Sequence, residues 1–179
     1  MRRALLFLFV PFLTCVLSNQ ILPATQEPSF QGTPVPVTPL DPKRSRPRTS
    51  FATGCGIWDQ LRVVVRDRDA WVDLWNRINR VDPTRGPYPE PPPLPEIDFS
   101  REMLVVATMG RRGSSAYGII IDAAYAYERN YRLEVIVRSV ENRCGSALGI
   151  MTAPIDIVRL PKTERTVIFR ETEVVPDCK

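Results

Sequence analysis

Six short runs of β-branched and aromatic residues constrain this chain more than any other feature. They are "IWDQLRVVVRD", "EMLVVATMG", "YGIIIDAAYAY", "YRLEVIVRSV", "IDIVRLP" and "TVIFRETEVV", and turn-forming residues separate them. In "YRLEVIVRSV" the set Tyr131, Leu133, Val135 and Val137 alternates with Arg132, Glu134 and Arg138, giving one buried and one wet face, as in an antiparallel sheet. "ERNY" reads as a hairpin connection, with Asn130 placed to take the left-handed conformation that such turns need. One helix interrupts the pattern. In "DRDAWVDLWNRINR" Trp71, Leu74, Trp75 and Ile78 recur at helical spacing, Asp67 or Asp69 stands ready to cap, and both tryptophans are expected in the core. The expected fold class is α+β: a mostly antiparallel sheet or partly open barrel of about six strands with one packed helix.

The residues before Phe51 show no such pattern. "MRRALLFLFVPFLTCVLS" sets Arg2 and Arg3 ahead of an apolar run from Ala4 to Leu17, the form of a signal peptide and too short to span a bilayer comfortably. Residues 1–18 are therefore expected to direct export, with cleavage after Ser18. Membrane attachment through a lipid on Cys15 ranks second, and an uncleaved N-terminal anchor third. Residues 19–50 are dense in proline without apolar periodicity and are expected to form an extended, disordered tether. The folded domain is then residues 51–179.

This division relocates the charge. The chain carries +4 overall, but Arg2 and Arg3 leave with the signal peptide, and Lys43, Arg44, Arg46 and Arg48 outweigh Glu27 and Asp41 in the tether. From Phe51 to Lys179, 18 basic residues face 18 acidic ones, so no nucleic-acid surface is expected. Cys55, Cys144 and Cys178 remain after processing, an odd number that allows one intramolecular bridge. Cys55 precedes the first expected strand and Cys178 follows the last. If those strands are antiparallel neighbours, the two meet, so a Cys55–Cys178 disulfide is favoured over Cys55–Cys144 and Cys144 is left unpaired. With three scattered cysteines and no histidine, neither a metal nor a cofactor is expected.

The stretch with the most chemistry is "MGRRGSSAYGIII", Met109 to Ile121. A phosphate cradle needs glycine amides that lead into a helix N-terminus, and these lead into a strand, with neither the spacing nor the lysine of a P-loop. A nucleophilic Ser114 or Ser115 needs a base. Without histidine a Ser-Lys pair would have to use Lys162, the only lysine inside the domain away from its terminus, and the carboxylates Asp98, Glu102 and Asp122 carry no mark of a shared pocket. The remaining reading is a turn that offers Arg111, Arg112, Ser114, Ser115 and Tyr117 to a partner, with a solvated, functionless turn as its rival.

The order "WVDLW", "EIDFSREMLVVATMG", "AYGIII", "RLEVIVRSV", Cys144, "TAPIDIVRLPKT" and "VIF" resembles the PrcB C-terminal domain family, named after a small subunit of a bacterial surface protease complex. The likeness runs from Ile57 to Phe169. Its most specific pieces are Asp98-Phe99-Ser100 with Met103, and Thr152-x-Pro154 followed by Val158-x-x-Pro161-Lys162. It implies a bacterial, secreted or envelope-associated accessory domain without catalytic activity that assists or binds another exported protein such as a protease. Where that family usually has Thr-Gly-Gly-Tyr, this chain has Ser114-Ser115-Ala116-Tyr117, so a role needing close backbone approach there is not carried over. The expected function is thus non-catalytic protein binding. The alternative is a small hydrolase with a carboxylate or Ser-Lys site in an unrecognised pocket.

Overall fold

The computed structural model describes residues 32–40, 56–79, 93–144 and 147–177. The expected signal peptide, the rest of the tether, Cys55 and Cys178 lie outside the described residues. All six runs are strands, and two short ones precede them: β1 (Thr33–Val35), β2 (Thr38–Pro39), β3 (Gln60–Val65), β4 (Glu102–Met109), β5 (Tyr117–Tyr127), β6 (Arg132–Glu141), β7 (Ile155–Pro161) and β8 (Thr166–Val174). They form two four-stranded sheets, β1-β5-β6-β8 and β2-β7-β4-β3, rather than one sheet or a barrel of six. The helix α1 (Arg68–Ile78) makes a third layer.

The layering follows from which strands are apolar on both faces. Along β4 the side chains of Met103, Val105, Ala107 and Met109 point between the sheets, where they meet Ile119, Ile121, Leu133, Val135, Val137, Val158 and Leu160. Leu104 and Val106 point the other way, onto Trp71, Leu74, Ile155 and Ile157 beneath the helix. A strand covered on both sides cannot alternate, which is why "MLVVATM" reads as one apolar run. Fully burying each such side chain contributes roughly 1.5–3 kcal/mol. A buried carboxylate spans the inner core: Asp156 of β7 accepts from the Ile121 amide of β5 at 2.8 Å and from the Ile157 amide at 3.1 Å. The β5–β6 register shifts between Ile121 and Ala123 at this level.

The helix forms as the spacing predicts. Asp67 caps it by accepting from the Ala70 amide at 2.8 Å. Trp71 is 1% exposed, and its indole N–H donates to the Pro95 carbonyl at 3.0 Å. Trp75 is half-buried, with its ring centroid 5.2 Å from that of Trp71.

Three expectations are corrected. Residues 32–40 are not an unpaired tether: β1 adds to β5 and β2 to β7, and Leu40 continues the contact through its amide to the Ile157 carbonyl. Prolines are tolerated there because both are edge strands, where a missing N–H breaks no central ladder. In the β5–β6 hairpin the left-handed residue is Tyr131, φ 47°, not Asn130. Finally, the first and last long strands are not antiparallel neighbours. β3 pairs with β4 in one sheet, and β8 runs parallel to β6 in the other, from Arg132↔Thr166 to Val140↔Val174. The geometric ground for a Cys55–Cys178 bridge is therefore removed. Cys144, expected to be unpaired, is disulfide-bonded. Among the described residues no helix is long and apolar enough to cross a membrane.

Candidate functional site

The Met109–Tyr117 loop sits at one end of the sandwich, and its path is set at Gly110. That residue has φ +68°, and a Cβ there would lie 2.8 Å from the Trp58 carbonyl oxygen. The glycine thus lets the loop lie flat against residues 58–60, and the Arg111 amide donates to the Trp58 carbonyl at 2.9 Å. The Arg111 guanidinium then stacks over the Trp58 ring, 5.2 Å from its centroid. Trp58 remains 40% exposed, and Arg111 is exposed. An open tryptophan under an arginine combines two of the residue types most often dominant at protein interfaces.

The rest of the loop is tied to the segment that precedes β7. Arg112 and Thr152 exchange two backbone hydrogen bonds, both 2.8 Å, and the Arg112 guanidinium lies 5.7 Å from the Tyr117 ring centroid. Ser114 Oγ accepts from the Ala116 amide at 3.1 Å, while its carbonyl accepts from the Thr152 hydroxyl at 2.9 Å. Ser115 bonds Leu148 twice: its amide donates to the Leu148 carbonyl at 3.0 Å, and its Oγ accepts from the Leu148 amide at 2.9 Å. Both serines are half-buried and serve to fasten the loop. The Tyr117 hydroxyl donates to Glu141 at 3.3 Å, and Glu141 pairs with Arg143 at 2.9 Å. Arg143, more than Tyr117, holds the Glu141 carboxyl below its ordinary range, and Glu141 in turn raises the Arg143 pKa.

The structure thus brings Arg111, Arg112, Ser114, Ser115 and Tyr117 together, but of the five only Arg111 is exposed, and the half-buried Arg112 donates to the Arg111 carbonyl at 3.0 Å. Sequence reasoning missed Trp58 and Leu148, which are 40% and 57% exposed beside the loop. A tryptophan just ahead of the first long strand was the available signal for one of them. The groups weighed for catalysis are dispersed. Lys162 donates to the Phe99 carbonyl at 2.9 Å, at the far end of β7 from the serines. Asp98 accepts from the hydroxyl and amide of Ser100, which lower its pKa in that order. Glu102 faces Arg159 at 3.9 Å, and Asp122 pairs with Arg138 at 2.8 Å.

No family model, curated protein or solved structure matches the chain. The chemistry of the site therefore rests on its own residues. Among the described residues no three His, Cys, Asp or Glu side chains gather as metal ligands. What the loop end presents is a rigid backbone, a guanidinium over an indole, and an exposed leucine next to a serine clasp. Such a surface suits recognition of a carboxylate beside an apolar group.

Proposed function

We propose that this chain is an exported, non-catalytic binding module whose loop end contacts another exported protein, such as a protease. The observation that carries the reading is the exposed Trp58–Arg111 stack, which Gly110 makes possible. The signal-like N-terminus and the resemblance to the PrcB C-terminal domain family supply the expectation of export and of a protease partner. Internal use of both loop serines agrees with binding rather than nucleophilic chemistry.

The test compares capture of secreted and envelope proteases by the wild type, by Trp58→Ala with Arg111→Ala, and by Ser114→Ala. Loss of capture is expected in the first variant only, with its melting curve unchanged because the side chains of Trp58 and Arg111 are exposed. Capture by the wild type should also weaken with salt, since exposed charges are screened over about 8 Å at physiological ionic strength. If capture survives the loss of Trp58 and Arg111, the contact reading fails. If instead Ser114→Ala alone abolishes function in a folded protein, the hydrolase alternative returns.

A further inference from the structure

The opposite end of the sandwich carries a second arginine–aromatic cluster, and one member of it is held at a cost. The β5–β6 hairpin turns through Glu128, Arg129, Asn130 and Tyr131, all exposed. Tyr131 adopts φ 47°, a conformation that L side chains with bulky groups avoid, while the residue is 56% exposed. The turn itself does not need a tyrosine. What the fold takes from this position is backbone: the Tyr131 amide donates to the Glu128 carbonyl at 3.3 Å, and its carbonyl accepts from the Thr166 amide at 3.2 Å. Glycine would provide both bonds with less strain. A bulky side chain kept in an unfavourable conformation and turned to solvent points to a use for that side chain.

The surroundings indicate the use. The Arg165 guanidinium lies 4.7 Å from the Tyr131 ring centroid; it also pairs with Glu128 and donates to the Tyr127 carbonyl at 3.0 Å. The Arg132 guanidinium lies 4.7 Å from the Tyr127 ring centroid. Glu134 is shared between Arg132 at 2.8 Å and Arg170 at 3.1 Å. Arg129, Arg132, Arg165 and Arg170 thus outnumber Glu128, Glu134 and Glu164 by one, leaving this end slightly positive. Beside the turn is a cavity of about 360 Å³ lined by Tyr127, Arg129, Asn130 and Arg132. That volume suits one or two side chains.

We propose that the hairpin end is a second binding site, specific for an acidic peptide segment, with Tyr131 as its exposed anchor and the arginines as its carboxylate-binding groups. A membrane surface is the less suitable occupant. Lipid-headgroup attraction uses runs of four to eight basic residues, whereas here acidic residues are interleaved and the excess is small. β5 begins at Tyr117 under Arg112 and ends at Tyr127 under Arg132, so the two clusters are roughly 33 Å apart at about 3.3 Å per residue. One domain then holds two partners, or two parts of one, at opposite ends.

The experiment is calorimetric titration of the full-length protein with hexaglutamate, with hexaglutamine, and with phosphatidylserine vesicles, for the wild type, Tyr131→Gly and Arg111→Ala. The wild type should bind hexaglutamate and not hexaglutamine. Tyr131→Gly should weaken binding at least about tenfold while its melting temperature stays the same or rises, and Arg111→Ala should bind as the wild type does. Equal binding by Tyr131→Gly overturns the proposal, as does equal binding of hexaglutamine. Binding to the vesicles without binding to hexaglutamate replaces the peptide with a membrane. A lowered melting temperature for Tyr131→Gly shows that the ring serves the fold instead, and loss only in Arg111→Ala moves the site to the other end.

Discussion

Replacing Gly110 with alanine should destabilise the domain by roughly 2–4 kcal/mol, and the structure shows where that figure comes from. At φ +68° the new side chain meets the left-handed penalty of about 1–2 kcal/mol. Its Cβ would also lie 2.8 Å from the Trp58 carbonyl oxygen, 2.9 Å from the Asp59 carbonyl carbon and 2.9 Å from the Gln60 nitrogen. All three are backbone atoms at the start of β3, so no side-chain rotation relieves the contact, and forced packing of this kind adds about 1–3 kcal/mol. A gain of about 0.4–1 kcal/mol from the stiffer unfolded chain offsets part of the total. Gly113 is the internal control. No atom lies within 4 Å of a Cβ built there, so Gly113→Ala should stay within about 0.5 kcal/mol of the wild type. Urea denaturation of the two variants, with midpoints compared at equal slope, decides the matter. Equal midpoints would refute the claim that close approach to residues 58–60 fixes the loop, and with it the account of how Arg111 reaches Trp58.

Two further outcomes follow from the packing and the register. Trp71→Ala should cost about 3–5 kcal/mol, whereas Trp75→Ala, at a half-buried site, should cost clearly less in the same denaturation assay. Val140 and Val174 are registered parallel partners, Cys144 and Cys178 each follow four residues later in sequence, and the Cys144 Sγ is 3.4 Å from the Pro176 carbonyl oxygen. Peptide mapping of oxidised protein should therefore find Cys144 linked to Cys178, and a Cys144–Cys55 peptide would contradict this.

The elements were legible where pattern alone determines them. Asp67 ahead of Trp71, Leu74 and Ile78 specifies a capped amphipathic helix, and all six β-branched runs became strands. The unbroken run in β4 carries a further signal, since a strand without alternation needs cover on both faces, which implies a third layer. Other features depend on partners distant in sequence. Thr33–Val35 and Thr38–Pro39 have no strand signal of their own and pair only because β5 and β7 offer open edges. The parallel placement of β8 beside β6 leaves no local trace, so local pattern alone suggests antiparallel ends for the first and last long strands. At the candidate site the residue types were visible, but their roles were not. Ser114 and Ser115 look available until Thr152 and Leu148 are set beside them, and Arg111 gains meaning only from Trp58.

The segment 32–40 has a mechanical consequence. It crosses from one sheet to the other and is held by three registered pairs to β5 and two to β7. Tension applied through the N-terminal chain would load these few pairs one after another, like a strip being peeled, before any force reached the long β5–β6 and β6–β8 ladders. Releasing the nine residues would lengthen the chain by roughly 30 Å, at about 3.3 Å per residue, and would withdraw Val35 and Val37 from the core between the sheets and Leu40 from the core beneath the helix. The edge that gives way first is thus also the one whose loss opens a side of each core, so extension and partial exposure of apolar surface would arrive together.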